Sequence, residues 1–106
     1  MSDGALGDGD RPRPREDAIR RVLEIVNKKG LHARASAKFV QTVEKFDAEV
    51  TVTRGSETVG GTSIMGLMML SAATGTEIAV EASGKQAAEA MEAIAELVTS
   101  GFGEED

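Results

Sequence analysis

The sequence predicts an α+β fold: an open-faced two-layer sandwich in which a four-stranded antiparallel sheet carries three helices on one face, in the order βαββαβα. Three observations lead there. The hydrophobic period switches repeatedly between two and about 3.6 residues along the chain. The extended runs are short and end in Gly- or Asn-containing turns. At 106 residues the chain has room for one compact domain and one core, and strands that return to one sheet leave a face for helices to cover.

Taken in order, Ala18 to Val26 ends in Val-Leu-Glu-Ile-Val, β-rich and nearly all apolar, and reads as a strand buried on at least one face. Asn27-Lys28-Lys29-Gly30 is a turn. From there Ala33, Ala37, Val40, Val43 and Phe46 recur at helical spacing, with Lys38, Gln41 and Glu44 opposite. Glu49 to Thr53 alternates as a strand, Arg54-Gly55-Ser56-Glu57 turns, and Thr58-Val59 returns to complete a hairpin stopped by Gly60-Gly61. Ser63 to Leu70 is a Met-rich turn or two of helix, with Ser63 as its cap. Glu77 to Ala82 is a fourth strand. Ser83 opens the last helix, with Gln86 at capping-box spacing and Ala87, Met91, Ile94, Ala95 and Val98 as the buried stripe.

The ends differ from this body. Residues 1–17, MSDGALGDGDRPRPRED, hold both prolines and too little apolar surface to offset the entropy of ordering, and read as a flexible tail. The domain spans 18–102, with Phe102 as a final anchor, and 103–106 form an acidic tail.

Composition narrows the function. A net charge of −6 argues against nucleic acid or an anionic membrane as partner. With 3% aromatic residues there is no platform for stacking single-stranded bases. The absence of cysteine excludes disulfides, thiolate metal sites and a cysteine nucleophile. Neither a signal peptide nor a membrane span is apparent, so a cytoplasmic protein is expected.

The single histidine, His32, stands in Gly30-Leu31-His32-Ala33-Arg34, where loop gives way to helix. The first turn of a helix has backbone N–H groups without partners and a partial positive charge, so an incoming phosphate meets donors already aimed at it. The same field, modest at about 0.3 to 1 kcal/mol, favours a neutral, nucleophilic imidazole. Arg34 can add a planar set of donors. On the residues alone, however, a histidine here is most often an ordinary surface or capping residue, and His32 with Arg34 only suggests the phosphate cradle. A metal site is not indicated, since no second His and no Cys accompany it, and a small hydrolase would need a general base beside Arg34 that no spacing supplies.

Asn27-Lys28-Lys29-Gly30-Leu31-His32-Ala33-Arg34 resembles the active-site segment of the HPr phosphocarriers, and Thr62-Ser63-Ile64-Met65-Gly66 resembles their second signature at matching separation. The similarity runs from about residue 18 to 102. It implies the HPr-like fold and a carrier, not an enzyme, of the phosphoenolpyruvate-dependent phosphotransferase system. By this resemblance His32 is phosphorylated on Nδ1 by enzyme I, with Arg34 as phosphate partner, and passes the group to enzyme IIA-type proteins. Ser63 matches the serine modified by HPr kinase/phosphorylase. Leu31, Ala33, Ile64, Met65 and Met68 match a partner-docking face, for which flexible Met side chains are suited. No cofactor or metal is implied, and a monomer suffices.

The chain also departs from the sugar-transport pattern. Ala35 follows Arg34 where a proline is usual, a change a helix start tolerates. Ile78 to Ala82 and the carboxyl-terminal Ser100-Gly101-Phe102-Gly103-Glu104-Glu105-Asp106 are similar to the nitrogen-related branch, NPr, whereas Thr62 to Gly66 is similar to ordinary HPr. The other reading of the same residues is a regulatory binding module whose phosphorylation at His32 or Ser63 selects protein partners without phosphoryl flux.

Overall fold

The computed structural model describes residues 18–104; the amino-terminal tail expected over 1–17, and Glu105 and Asp106 of the acidic end, lie outside the described residues. The elements are strand β1 (Ile19–Glu24), helix α1 (Ala33–Val43), strands β2 (Glu49–Arg54) and β3 (Glu57–Gly60), helix α2 (Ile64–Met69), strand β4 (Glu77–Ser83), helix α3 (Ala87–Thr99) and a 3-10 turn over Gly101–Gly103. The order is the βαββαβα expected.

One antiparallel sheet runs β1-β4-β2-β3. β4 sits between β1 and β2, so the last strand to be made zips the amino-terminal strand to the hairpin. Its alternation decides the layers: Ile78, Val80 and Ala82 are buried, as are Leu23 of β1 and Val50 and Val52 of β2. Their opposite face is open, with Val22 50% exposed and Arg20 3.8 Å from Glu81 across the β1–β4 pair. All three helices cover the buried face. Ile25, past the end of β1, remains tied to the loop before β4 by bonds to Thr76 and Gly75 of 2.8 and 2.7 Å.

Two elements differ from expectation. The buried face of α1 is Ala35, Ser36, Phe39, Val40 and Val43, whereas Ala33 is exposed and Ala37 and Phe46 are half-buried. Phe39, fully buried, carries far more apolar area than the alanines and sets the rotation of the helix. Ser36 tolerates the core because its Oγ donates to the Leu31 carbonyl at 3.2 Å.

At the other end, Ser83 does not open α3. It is the buried last residue of β4, paired with Glu49. The helix begins at Ala87 with Gln86 as its cap residue, and the Gln86 side chain makes no capping bond. Instead Asp47 and Gln86 bind each other reciprocally: the Gln86 amide donates to the Asp47 carbonyl at 2.8 Å and the Asp47 amide donates to Gln86 Oε1 at 2.7 Å. A contact distant in sequence has replaced the local capping box. The rest of the α3 stripe is as expected, with Ala90 added.

Candidate functional site

The loop before α1 is fixed by backbone. Gly30 has φ +67°, and a Cβ there would stand 2.4 Å from the Ala72 carbonyl oxygen, so only glycine fits. Leu31, the next residue, donates to that same oxygen at 3.0 Å and buries its side chain in the core. The expected place of Leu31 on a docking face is therefore corrected: at 5% exposure it anchors the loop and offers a partner almost nothing.

This anchoring delivers His32 to the N-cap of α1 in extended conformation (φ −75°, ψ −177°). Its Nδ1 receives the backbone N–H groups of Arg34 and Ala35 at 3.2 and 3.4 Å. Since a backbone N–H only donates, Nδ1 carries the lone pair, and in the neutral ring the proton is on Nε2. Nε2 meets the carboxylate of Glu104 through Oε2. The ring thus spans from the helix N-terminus to the segment that follows α3, with its side chain 27% exposed.

Glu104 was expected in a peripheral tail, and the structure brings it to the histidine instead. Gly101, Phe102 and Gly103 all take positive φ (70°, 58° and 70°), which curls the chain after α3. Phe102 is 1% exposed and pins that curl in the core. Lys38 of α1 donates to the Phe102 carbonyl at 2.7 Å, and the Glu104 amide donates to Gly101 at 3.0 Å. Buried Asn27 donates to the Gly30 carbonyl at 2.9 Å and to Glu104 Oε1 at 3.2 Å. The Glu104 carboxyl titrates below its ordinary value chiefly because of its hydrogen bond with His32; the Asn27 bond and the charges of His32 and Lys38 act the same way, against partial burial.

Lys29, Arg34 and Lys38 line the cleft around His32 together with Glu104. Three cations against one carboxylate suit an anion. Arg34 is exposed, consistent with a side chain that can close on an incoming group. Sequence reasoning singled out His32 and Arg34, which line this cleft, but not Asn27, Lys38 and Glu104 around it; the one hint was Phe102, an apolar anchor that had to hold its neighbours against the body.

Ser63 caps α2 as expected, its Oγ receiving the Gly66 amide at 2.9 Å. Leu67 and Leu70 are buried, whereas Ile64, Met65, Met68 and Met69 are exposed, Met65 by 71%. α2 packs against α1, the helix that His32 opens. Among the described residues no group of three or more His, Cys, Asp or Glu is placed to hold a metal ion, and no helix is long and apolar enough to cross a membrane.

The model of the PTS-HPr family, described as the PTS HPr component phosphorylation site, matches residues 19–100. The chain belongs to this family. It is 54% identical over 86 residues to the phosphocarrier protein HPr of Neisseria meningitidis serogroup A, covering 81% of this chain and 97% of that protein. It is 40% identical over 88 residues to the phosphocarrier protein NPr of Escherichia coli K12, covering 82% and 98%. A crystal structure of HPr-C-His from Thermoanaerobacter tengcongensis superposes with a TM-score of 0.79 at 41% identity, covering 83% and 99%. As an HPr-family protein the chain is a phosphocarrier of the phosphotransferase system: it is charged and discharged rather than catalysing a reaction of its own.

Proposed function

We propose that His32 is the phosphoryl carrier, taking the group on Nδ1 from enzyme I, with phosphoenolpyruvate as original donor, and passing it to enzyme IIA-type proteins. The observation that carries this reading is the aim of Nδ1 at the N-terminus of α1. A phosphoryl group bonded there takes over the two amides that Nδ1 now receives, those of Arg34 and Ala35. Arg34 supplies charge-assisted hydrogen bonds to the phosphoryl oxygens, and Lys29 and Lys38 add positive potential.

Ala33, Ile64, Met65 and Met68 form the docking face, all exposed and rich in adaptable side chains. Ser63 is the site for HPr kinase/phosphorylase, at the exposed start of α2, where a phosphoserine would place nearly two negative charges beside that face. The protein acts as a cytoplasmic monomer with regulatory output, nitrogen-related or metabolic, and binds neither nucleic acid nor membrane, in keeping with its net charge of −6.

The test is intact mass after incubation with phosphoenolpyruvate and enzyme I, for wild type and His32→Ala, followed by an acid step. One acid-labile phosphoryl group on the wild type alone is expected. Equal labelling of His32→Ala would remove His32 from the role, and a charged wild type that no enzyme IIA-type protein discharges would leave a regulatory binding module.

A further inference from the structure

From the carboxyl-terminal strap we infer that Glu104 is a positioning residue that engages His32 at Nε2, masks that nitrogen, and leaves Nδ1 as the atom that takes the phosphoryl group. The inference rests on the reading of His32 as the carrier and adds to it the residue that selects the reacting nitrogen.

An imidazole has two nitrogens of similar nucleophilicity, and a half-exposed ring free to rotate about its side-chain bonds could offer either. Here both are engaged. Nδ1 accepts from backbone amides that a phosphoryl group can take over, whereas Nε2 faces a carboxylate that repels an incoming phosphate. The carboxylate is not there by accident of a loose chain end. It is fixed from four sides: by the core burial of Phe102, by Lys38 on the Phe102 carbonyl, by the turn bond from Glu104 to Gly101, and by buried Asn27 on Oε1. Asn27 also donates to the Gly30 carbonyl, so one buried amide links the loop that delivers His32 to the strap that orients it.

The step balances without moving a proton. The Nδ1 lone pair forms the N–P bond as the bond from phosphorus to the donor breaks, its electron pair leaving with the donor. Nε2 keeps its hydrogen, the ring becomes positively charged, and the Glu104 carboxylate faces that charge. Discharge is the reverse, and a protonated ring is the better leaving group.

The test uses phosphoramidate, a small donor that needs no docking protein, on the full chain and on Glu104→Ala, with the phosphohistidine isomer identified by NMR. His32 is the single histidine, so the isomer ratio belongs to it alone. Wild type should give the Nδ1 isomer only, and Glu104→Ala a mixture containing the Nε2 isomer. Charging of Glu104→Ala by enzyme I should be about tenfold slower, the low end of the loss that follows removal of the partner orienting a metal-bound histidine. A variant that gives the Nδ1 isomer alone at the wild-type rate overturns the inference, and so does one that charges faster, which would make Glu104 a barrier. If enzyme I does not charge the wild type, the carrier reading falls, while the phosphoramidate isomers still decide the role of Glu104.

Discussion

Lys38 on α1 donates to the main-chain carbonyl of Phe102, 64 residues away, at 2.7 Å. This bond couples the helix capped by His32 to the strap that carries Glu104, through a carbonyl that any residue at 102 would present. Lys38→Met keeps the aliphatic stem and removes the donor, so it should cost about 0.5 to 1.5 kcal/mol in urea unfolding. The Glu104 amide, bonded within the strap, should exchange with solvent faster than in wild type while core amides of β4 do not. Unchanged exchange at Glu104 would show that Phe102 burial, the turn bond to Gly101 and the Asn27 bond hold the strap without Lys38.

Acid stability should report the same carboxylate. The Glu104 carboxyl is lowered from its ordinary value of 4.5, first by the His32 hydrogen bond and then by Asn27 and by the charges of His32 and Lys38. The unfolded chain therefore binds a proton at Glu104 before the folded chain does, and stability from this group is present above about pH 4.5 and lost as pH falls through the folded value. Glu104→Gln lacks the effect. Its stability deficit against wild type should be full at neutral pH and shrink below pH 4.5, whereas a constant deficit would mean that the carboxylate charge contributes nothing.

Phe39 and Phe46 separate the two readings of α1. Phe39 is fully buried and Phe46 only half so. Phe39→Ala should cost about 3 to 5 kcal/mol, enough to threaten folding in so small a domain. Phe46→Ala should cost clearly less in the same urea titration, and equal costs would contradict the packing described.

These outcomes bear on what the sequence could disclose. Element order was legible because the switch from period two to period 3.6 reflects which faces are buried, and burial is what organises a sheet with helices on one side. The face of α1 was misjudged because counting from Ala33 gives small residues the weight of large ones, and because Ser36 looks polar until its bond to Leu31 is known. Ser83 has capping spacing, yet the pairing of β4 with β2 reaches it and the Asp47–Gln86 exchange takes over the helix start. The places of His32, Arg34 and Ser63 were readable because each stands at a helix start. Glu104 was not, since its contact with His32 spans 72 residues and no periodicity encodes the meeting of a chain end with a loop.

Arg34 should affect rate rather than capacity. Its side chain is exposed at the cleft and leaves Nδ1 untouched, so Arg34→Ala should still reach full phosphorylation, more slowly. Arg34→Lys should recover only part of the rate, because an ammonium supplies charge without the planar pair of donors. Complete loss of charging in Arg34→Ala would give the guanidinium an essential role.

Ser63 has two separable jobs, and paired substitutions distinguish them. Its Oγ satisfies the Gly66 amide at the start of a helix only six residues long, so Ser63→Ala should destabilise the protein by about 0.5 to 2 kcal/mol without slowing phosphorylation of the folded fraction. Ser63→Asp keeps a capping oxygen and should retain stability, since aspartate is a good cap and its charge suits a helix N-terminus. It also sets a negative charge beside exposed Ile64, Met65 and Met68, where enzyme I is proposed to dock. Charging of Ser63→Asp by enzyme I should therefore slow while phosphoramidate labelling, which needs no docking, stays at the wild-type rate. Equal slowing with both donors would place the effect at His32 itself, and no slowing with either would leave Ser63 as a cap alone.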